Sequence, residues 1–121
     1  LAAYLCRWPS AATIENGAMD GAFFETYVIT EIIKSYYNAG KQPNLYYYRD
    51  IDKKEIDLLI IDGKKVYPIE IKKAKLPNHA DKNFKVLDKL DMDVQTGLII
   101  CMNDELLPYS RTSWYCPVSL L

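Results

Sequence analysis

The most constraining feature of this sequence is the stretch EIDLLIIDGKKVYPIEIK, residues 55–72. It consists of two apolar segments rich in β-branched and aliphatic residues, separated by Asp62-Gly63. An Asp-Gly pair between alternating apolar segments is a strong signal for a β-hairpin. We therefore expect antiparallel strands over residues 55–61 and 66–72.

The pairing register decides which side chains of this hairpin meet. If residues 62–65 form a four-residue loop, Ile61 pairs with Val66, and Asp57 lies directly opposite Glu70. Side chains alternate between the two faces of a strand, so Lys72 then shares the face of Glu70. A three-residue loop would instead place Asp57 and Glu70 on opposite faces. The four-residue register thus collects two carboxylates and one ammonium group on a single patch.

Such a patch has a specific electrostatic requirement. Two cross-strand carboxylates have Cβ atoms ~5 Å apart and repel each other. Unit charges ~4 Å apart at an effective dielectric of ~20 cost ~4 kcal/mol. Lys72 supplies one compensating charge, and Mg²⁺ or Mn²⁺ would supply more, because Mg²⁺ is typically held by one or two carboxylates plus water. Asp57 and Glu70 are the predicted ligands, with Lys72 acting on water or phosphate. A solvated face is the alternative interpretation of Glu-x-Lys.

The arrangement Asp57…Glu70-Ile71-Lys72 resembles the motif of the PD-(D/E)XK nuclease superfamily. The segments GAFFETYVITEIIKSYYNAGKQPNLYYYRD, KEIDLLI and YPIEIKKA also resemble the uncharacterised domain that follows a P-loop AAA+ ATPase domain in many prokaryotic proteins. This resemblance covers nearly the whole chain. Ile56 departs from the PD-(D/E)XK superfamily motif, since many superfamily members have Pro before the aspartate.

The resemblance implies an α/β fold with a restriction-endonuclease-like αβββαβ core, in which helices flank a central mixed sheet. It also implies that the main-chain carbonyl of Ile71 completes the metal coordination. An acidic residue on the first helix reaches the metal in similar families, and Glu25 is the matching position. An upstream AAA+ ATPase domain of the same chain is the implied partner.

Residues 21–39 are predicted to form a long, largely buried helix that ends at Gly40. Glu25 lies on the same stripe as Ile29 and Ile32. A carboxylate within an apolar stripe is costly unless it is paired, which agrees with a role near the metal. The alternative is a first-turn glutamate that favours the helix dipole.

The remaining elements complete the expected domain. Residues 1–8 are predicted to end a helix that Pro9 terminates, so residues 1–20 are interpreted as a junction and residues 21–121 as the nuclease-like domain. Strands are predicted over residues 45–49 and 95–101. A second helix is expected after Pro77, with Asn78 as its N-cap. Residues 113–121 are expected to form an edge strand, because Pro117 is acceptable only there.

The net charge of −1 does not by itself indicate a nucleic-acid-binding protein. Between residues 64 and 89, however, eight lysines face three acidic residues, a local balance of +5. A basic segment beside the predicted site suits a phosphate backbone. The candidate contacts to DNA are Lys73, Lys75, Lys82, Lys85 and Lys89. A solvated lysine face on the second helix is the alternative.

Composition indicates the cellular setting of the protein and limits its candidate functions. The three cysteines lie far apart without a CxxC motif, which favours a reducing, cytoplasmic setting with cysteines as small core residues. No apolar run approaches the ~20 residues that cross a bilayer. Two functions remain: a Mg²⁺-dependent nuclease or nuclease-like DNA-binding domain, and a catalytically inactive module that binds a partner protein or the ATPase.

Overall fold

The computed structural model describes residues 3–7 and 20–121, with side chains from residue 24 onward. The fold is α/β, as expected. Its strands are β1 (Ala3–Arg7), β2 (Leu45–Asp50), β3 (Glu55–Asp62), β4 (Lys65–Ile71), β5 (Asp93–Val94), β6 (Gly97–Cys101), β7 (Leu107–Pro108) and β8 (Ser113–Pro117). The helices are α1 (Asp20–Asn38) and two 3₁₀ helices, η1 (Phe84–Lys89) and η2 (Val118–Leu120).

The strands form one mixed sheet in the order β1-β2-β3-β4-β6-β8-β7, and β5 pairs with β4. Strands β1 to β4 pair with one another in antiparallel orientation. Strand β6 then joins β4 in parallel, and β8 joins β6 in parallel. The parallel pairing of β6 with β4 agrees with the predicted crossover after the central hairpin.

The central hairpin has the predicted register. Ile61 pairs with Val66, and the ladder continues regularly to Leu58 and Ile69. The loop is shorter than expected, because Asp62 also pairs with Lys65 and only Gly63 and Lys64 remain unpaired. Gly63 adopts φ +64°, a left-handed conformation that glycine tolerates without steric cost. The tighter turn leaves the register unchanged, since both loops keep Ile61 opposite Val66.

Helix α1 covers one face of the sheet and begins and ends within one residue of the predicted bounds. Its buried side chains, including Val28 and Ile29, pack against a core that contains Leu58, Ile69 and Ile100. The helix ends in a Schellman motif, in which Lys41 N–H donates to the Tyr36 carbonyl and Gly40 N–H donates to the Tyr37 carbonyl. Gly40 adopts the φ of +72° that this cap requires. Among the described residues, no helix is both long and apolar enough to span a bilayer.

The opposite face of the sheet is covered differently from the prediction. The expected α-helix after Pro77 is wrong, because this region contains only the six-residue helix η1. Bonds of the i to i−3 type, such as Phe84 N–H to Asp81, replace the α-helical pattern. Helix η1 buries the adjacent residues Val86 and Leu87, which a single α-helical stripe would not place together. Asn78 is not the N-cap; Asn83 occupies that position, without a side-chain cap.

Three further expectations need correction or limitation. Residues 3–7 form strand β1, antiparallel to β2, so the predicted N-terminal helix is wrong there. A five-residue apolar segment does not reveal its period, and pairing with the edge of β2 decided its conformation. Strand β8 is not the outermost strand, since β7 pairs with it at Tyr115 and Trp114. Most of the predicted junction, residues 1–2 and 8–19, lies outside the described residues.

Candidate functional site

Asp57 and Glu70 lie side by side where β3 begins and β4 ends. The Asp57 N–H donates to Glu70 Oε1 at 3.2 Å, and the Ile71 N–H donates to Asp57 Oδ2 at 2.9 Å. Each carboxylate is therefore held by the backbone of the neighbouring strand. The regular ladder ends at Leu58 and Ile69, one position before Asp57 and Glu70, and the two side-chain hydrogen bonds join the strands beyond it.

A β-bulge in β3 adds a feature that the sequence did not indicate. Strand β2 pairs Tyr46 with Leu59 and Tyr48 with Ile56, so Asp57 and Leu58 together oppose Tyr47. Such a bulge bends the strand locally and changes the direction of a side chain, and bulges are frequent next to active sites. Asp57 consequently lines the cleft that contains Glu70 and also a neighbouring cavity that contains Glu25.

Lys72 accompanies the carboxylates as predicted from its spacing. Its Nζ lies 3.8 Å from Glu70 Oε2, and its side chain is half-exposed whereas that of Glu70 is buried. Lys72 and both carboxylates line a cleft of about 290 Å³. The rim of this cleft adds Lys53 and Lys82. Three ammonium groups and the exposed Glu55 thus surround a floor formed by the buried Glu70 and the half-buried Asp57.

Burial dominates the electrostatics of the carboxylate pair. Burial, followed by the neighbouring charge of Asp57, raises the pKa of Glu70 to about 8. Burial also raises the pKa of Asp57, although the hydrogen bond from Ile71 and the charge of Lys72 act in the opposite direction. Two buried carboxyl groups in contact cannot both ionise without cost. The pair therefore favours one bound proton near neutral pH in the absence of a cation.

Glu25 reaches the same region from helix α1. It is half-buried and lines a cavity together with Tyr47, Glu55 and Asp57. Burial, followed by the charge of Asp57, raises the pKa of Glu25 to about 7, although the charge of Lys72 acts in the opposite direction. Glu25 is therefore directed towards the site region rather than into open solvent.

The donor set fits a magnesium ion that is held by few protein ligands. Asp57 and Glu70 offer hard carboxylate oxygens, and the raised pKa values show that their charges lack full compensation within the chain. Within the described part of the chain, no three His, Cys, Asp or Glu side chains are grouped to hold a metal ion. Glu25 is thus not placed as a third direct ligand in this structure. Mg²⁺ commonly takes only one or two carboxylates and fills its remaining positions with water and phosphate.

The other predicted residues are distributed around this centre. Ile71 is buried at the end of β4, and its N–H is bound to Asp57. Lys82 lines the cleft, and Lys85 lines a larger adjacent cavity. Lys73, Lys75 and Lys89 are exposed. The predicted lysine face of an α-helix does not exist, because η1 replaces that helix.

Sequence reasoning missed the loop that forms the outer wall of the cleft. Asn78, His79 and Asn83 line the cleft. Asn83 Nδ2 donates to the Glu55 carbonyl, and the His79 N–H donates to the Tyr109 hydroxyl. His79 adopts φ +56°, which interrupts any helix at that point. No periodic pattern marks these residues, since their positions depend on contacts 28 and 30 residues away.

Comparison with known families identifies the family of this chain but not its activity. The family model described as Domain of unknown function (DUF4143) matches residues 20–121. The chain belongs to this family. Searches of curated proteins and of solved structures gave no match. The family description names no substrate or reaction, so functional inference depends on the geometry of the site.

Proposed function

We propose that this domain of unknown function is a Mg²⁺-dependent nuclease-like domain that binds and hydrolyses nucleic-acid phosphodiesters. The observation that carries the proposal is the reciprocal anchoring of Asp57 and Glu70. Each carboxylate accepts a backbone hydrogen bond from the other strand, at 3.2 and 2.9 Å. This contact holds two carboxyl groups together, and only a bound proton or a cationic ligand offsets their repulsion.

The side chains have distinct roles in this proposal. Asp57 and Glu70 would hold the cation through their carboxylate oxygens. When bound, a divalent cation polarises a phosphoryl oxygen and lowers the pKa of a coordinated water. Lys72 is half-exposed beside Glu70 and is positioned to stabilise negative charge on a phosphate. Glu25 acts indirectly, because its charge interacts with Asp57.

The element order supports membership of the PD-(D/E)XK nuclease superfamily. Helix α1 precedes three antiparallel strands, and the chain then crosses over to a parallel strand. The 3₁₀ helix in the crossover is the departure from the expected αβββαβ order. By the same resemblance, we propose that the domain follows an AAA+ ATPase domain in the same chain and acts in the cytoplasm.

A second candidate function is a catalytically inactive interaction module. The observation that favours it is the absence, among the described residues, of a complete three-residue metal set. A net charge of −1 also favours a protein partner, such as the ATPase domain, over nucleic acid. The two functions differ in whether the carboxylate pair binds a divalent cation.

Isothermal calorimetry with Mg²⁺ and Mn²⁺ separates the two functions. We expect the native domain to bind either cation, and Asp57→Asn to lose that binding while it keeps a similar shape. Asp104→Asn, an exposed aspartate in the loop between β6 and β7, is the matched control and should bind as the native domain does. Absence of cation binding by the native domain at millimolar concentration would contradict the nuclease proposal.

A cleavage time course then tests the proposed role of Lys72. Lys72→Ala should keep its cation affinity, because a positive side chain cannot coordinate a cation. Cleavage should fall by ~10²–10³-fold, the typical effect of removing one group that stabilises charge in the transition state. Lys34→Ala on α1 serves as the control, since Lys34 is exposed and pairs with Glu31 at 3.9 Å. Equal cleavage by both variants would remove Lys72 from the mechanism.

A further inference from the structure

A second and larger cavity adjoins the carboxylate cleft. It measures about 770 Å³ and shares His79 and Lys82 with the cleft. The shared residues make the two spaces neighbours on the η1 side of the sheet. Pockets that enclose small organic ligands typically measure ~300–1,000 Å³. The cavity is therefore large enough for a nucleotide beside the cleft.

The wall of this cavity presents cations without partners. Lys82, Lys85 and Arg111 are exposed and line the cavity, and none of them forms a salt bridge with a residue that the structure describes. They remain unpaired although Asp81 and Asp88 contribute to the same wall. Their charges are thus available to an anionic ligand. A guanidinium group in particular suits bidentate contact with phosphate.

The remainder of the lining combines an apolar surface with hydrogen-bonding groups. Phe84 and Val94 are partly buried, and Gln95, Thr96 and Thr112 add amide and hydroxyl groups. The Phe84 ring lies against the backbone of β6, where a Cβ on Gly97 would come within 2.5 Å of its Cε2 atom. Aromatic and apolar surfaces contact the face of a base, whereas amides and hydroxyls bind its edges.

We propose that this cavity binds one unpaired nucleotide of the substrate, while an adjacent phosphate occupies the carboxylate cleft. This inference rests on the proposed function and specifies its substrate as single-stranded or frayed nucleic acid. A base stacked within a duplex cannot enter a concave pocket unless it leaves the stack, which costs free energy. The shared Lys82 contacts the phosphate that connects the two spaces.

Fluorescence anisotropy with labelled oligonucleotides tests the proposal. The probes are a short single-stranded DNA, a duplex of the same sequence, and the single strand with one abasic position. A chelator is present, so binding is measured independently of metal and cleavage. We expect the single strand to bind about tenfold more tightly than the duplex, and the abasic strand to bind more weakly than the intact strand.

Charge-matched variants locate the binding to the cavity. Arg111→Gln and Lys85→Gln should each weaken single-strand binding by about tenfold, because a charge-assisted contact to phosphate is lost. Lys34→Gln on α1, which removes the same charge elsewhere, should bind single strands nearly as well as the native domain. Thr96→Val should reduce the preference for the intact over the abasic strand.

The outcomes separate this inference from the proposed function. Equal affinity for single strand and duplex, or equal effects of Arg111→Gln and Lys34→Gln, overturns the nucleotide pocket and leaves cation-dependent cleavage to its own test. Failure to bind any of the three probes also overturns it. Selective binding of the single strand without divalent cation binding supports the pocket and contradicts hydrolysis instead.

Discussion

The raised pKa of Glu70 predicts that stability without metal falls as pH rises. An unfolded glutamate ionises near 4.5, whereas Glu70 in the folded domain ionises only near 8. Between these pH values the unfolded chain releases a proton that the folded domain retains. The stabilisation is therefore fully present below pH 4.5 and is lost as pH rises through about 8.

The size of this effect follows from the pKa values. A rise from 4.5 to about 8 corresponds to about 5 kcal/mol, because one pKa unit is about 1.4 kcal/mol. Asp57 titrates together with Glu70, so the observed change is on the order of 2–5 kcal/mol. Glu70→Gln should abolish most of this pH dependence, because the amide is neutral at every pH. Its oxygen still accepts the Asp57 N–H, and its NH₂ group can donate to the Asp57 carboxylate.

Urea denaturation at a series of pH values between 5 and 8, in the presence of a chelator, measures this difference. Glu70→Gln should be more stable than the native domain at pH 8 and similar to it at pH 5. In this variant the free energy of unfolding should still decrease slightly with rising pH, because the pKa of Glu25 is raised to about 7. Glu31→Gln on α1 is the matched control and should keep the native slope. Native stability that is constant or increases over this range would refute the reasoning.

The remaining predictions concern the η1 side of the sheet. Leu87→Ala should lower the free energy of unfolding by ~2–5 kcal/mol, because Leu87 is fully buried. Leu106→Ala is the control: its side chain is 50% exposed, so the free energy of unfolding should change by less than ~0.5 kcal/mol. Gly97→Ala should cost ~1–3 kcal/mol, since the new Cβ would meet the Phe84 ring at 2.5 Å. Phe84→Leu combined with Gly97→Ala should recover part of the lost stability, as measured by urea denaturation. Unchanged stability in Gly97→Ala would contradict the packing of Phe84 against Gly97.

Part of the candidate site could be predicted from local sequence alone. The alternation of residues 55–61 and 66–72 and the Asp62-Gly63 turn specify a hairpin whose register pairs Leu58 with Ile69, the neighbours of Asp57 and Glu70. That register is strongly determined, because a slip by one residue would move buried side chains such as Leu58 and Ile69 to the other face. Helix α1 was equally predictable from its apolar residues and its terminal glycine.

The tertiary structure decided how this pair is surrounded. The bulge that places Asp57 between two cavities depends on pairing with β2, and the sequence of β3 alone does not mark it. The loop that carries Lys82 and Asn83 follows no helical or strand period. Its path depends on long-range hydrogen bonds, such as the bond from Asn83 to Glu55, and on burial of Leu87 against the sheet. Local patterns specify contacts between neighbours in a hairpin, but the closure of long loops depends on the final packing of distant segments.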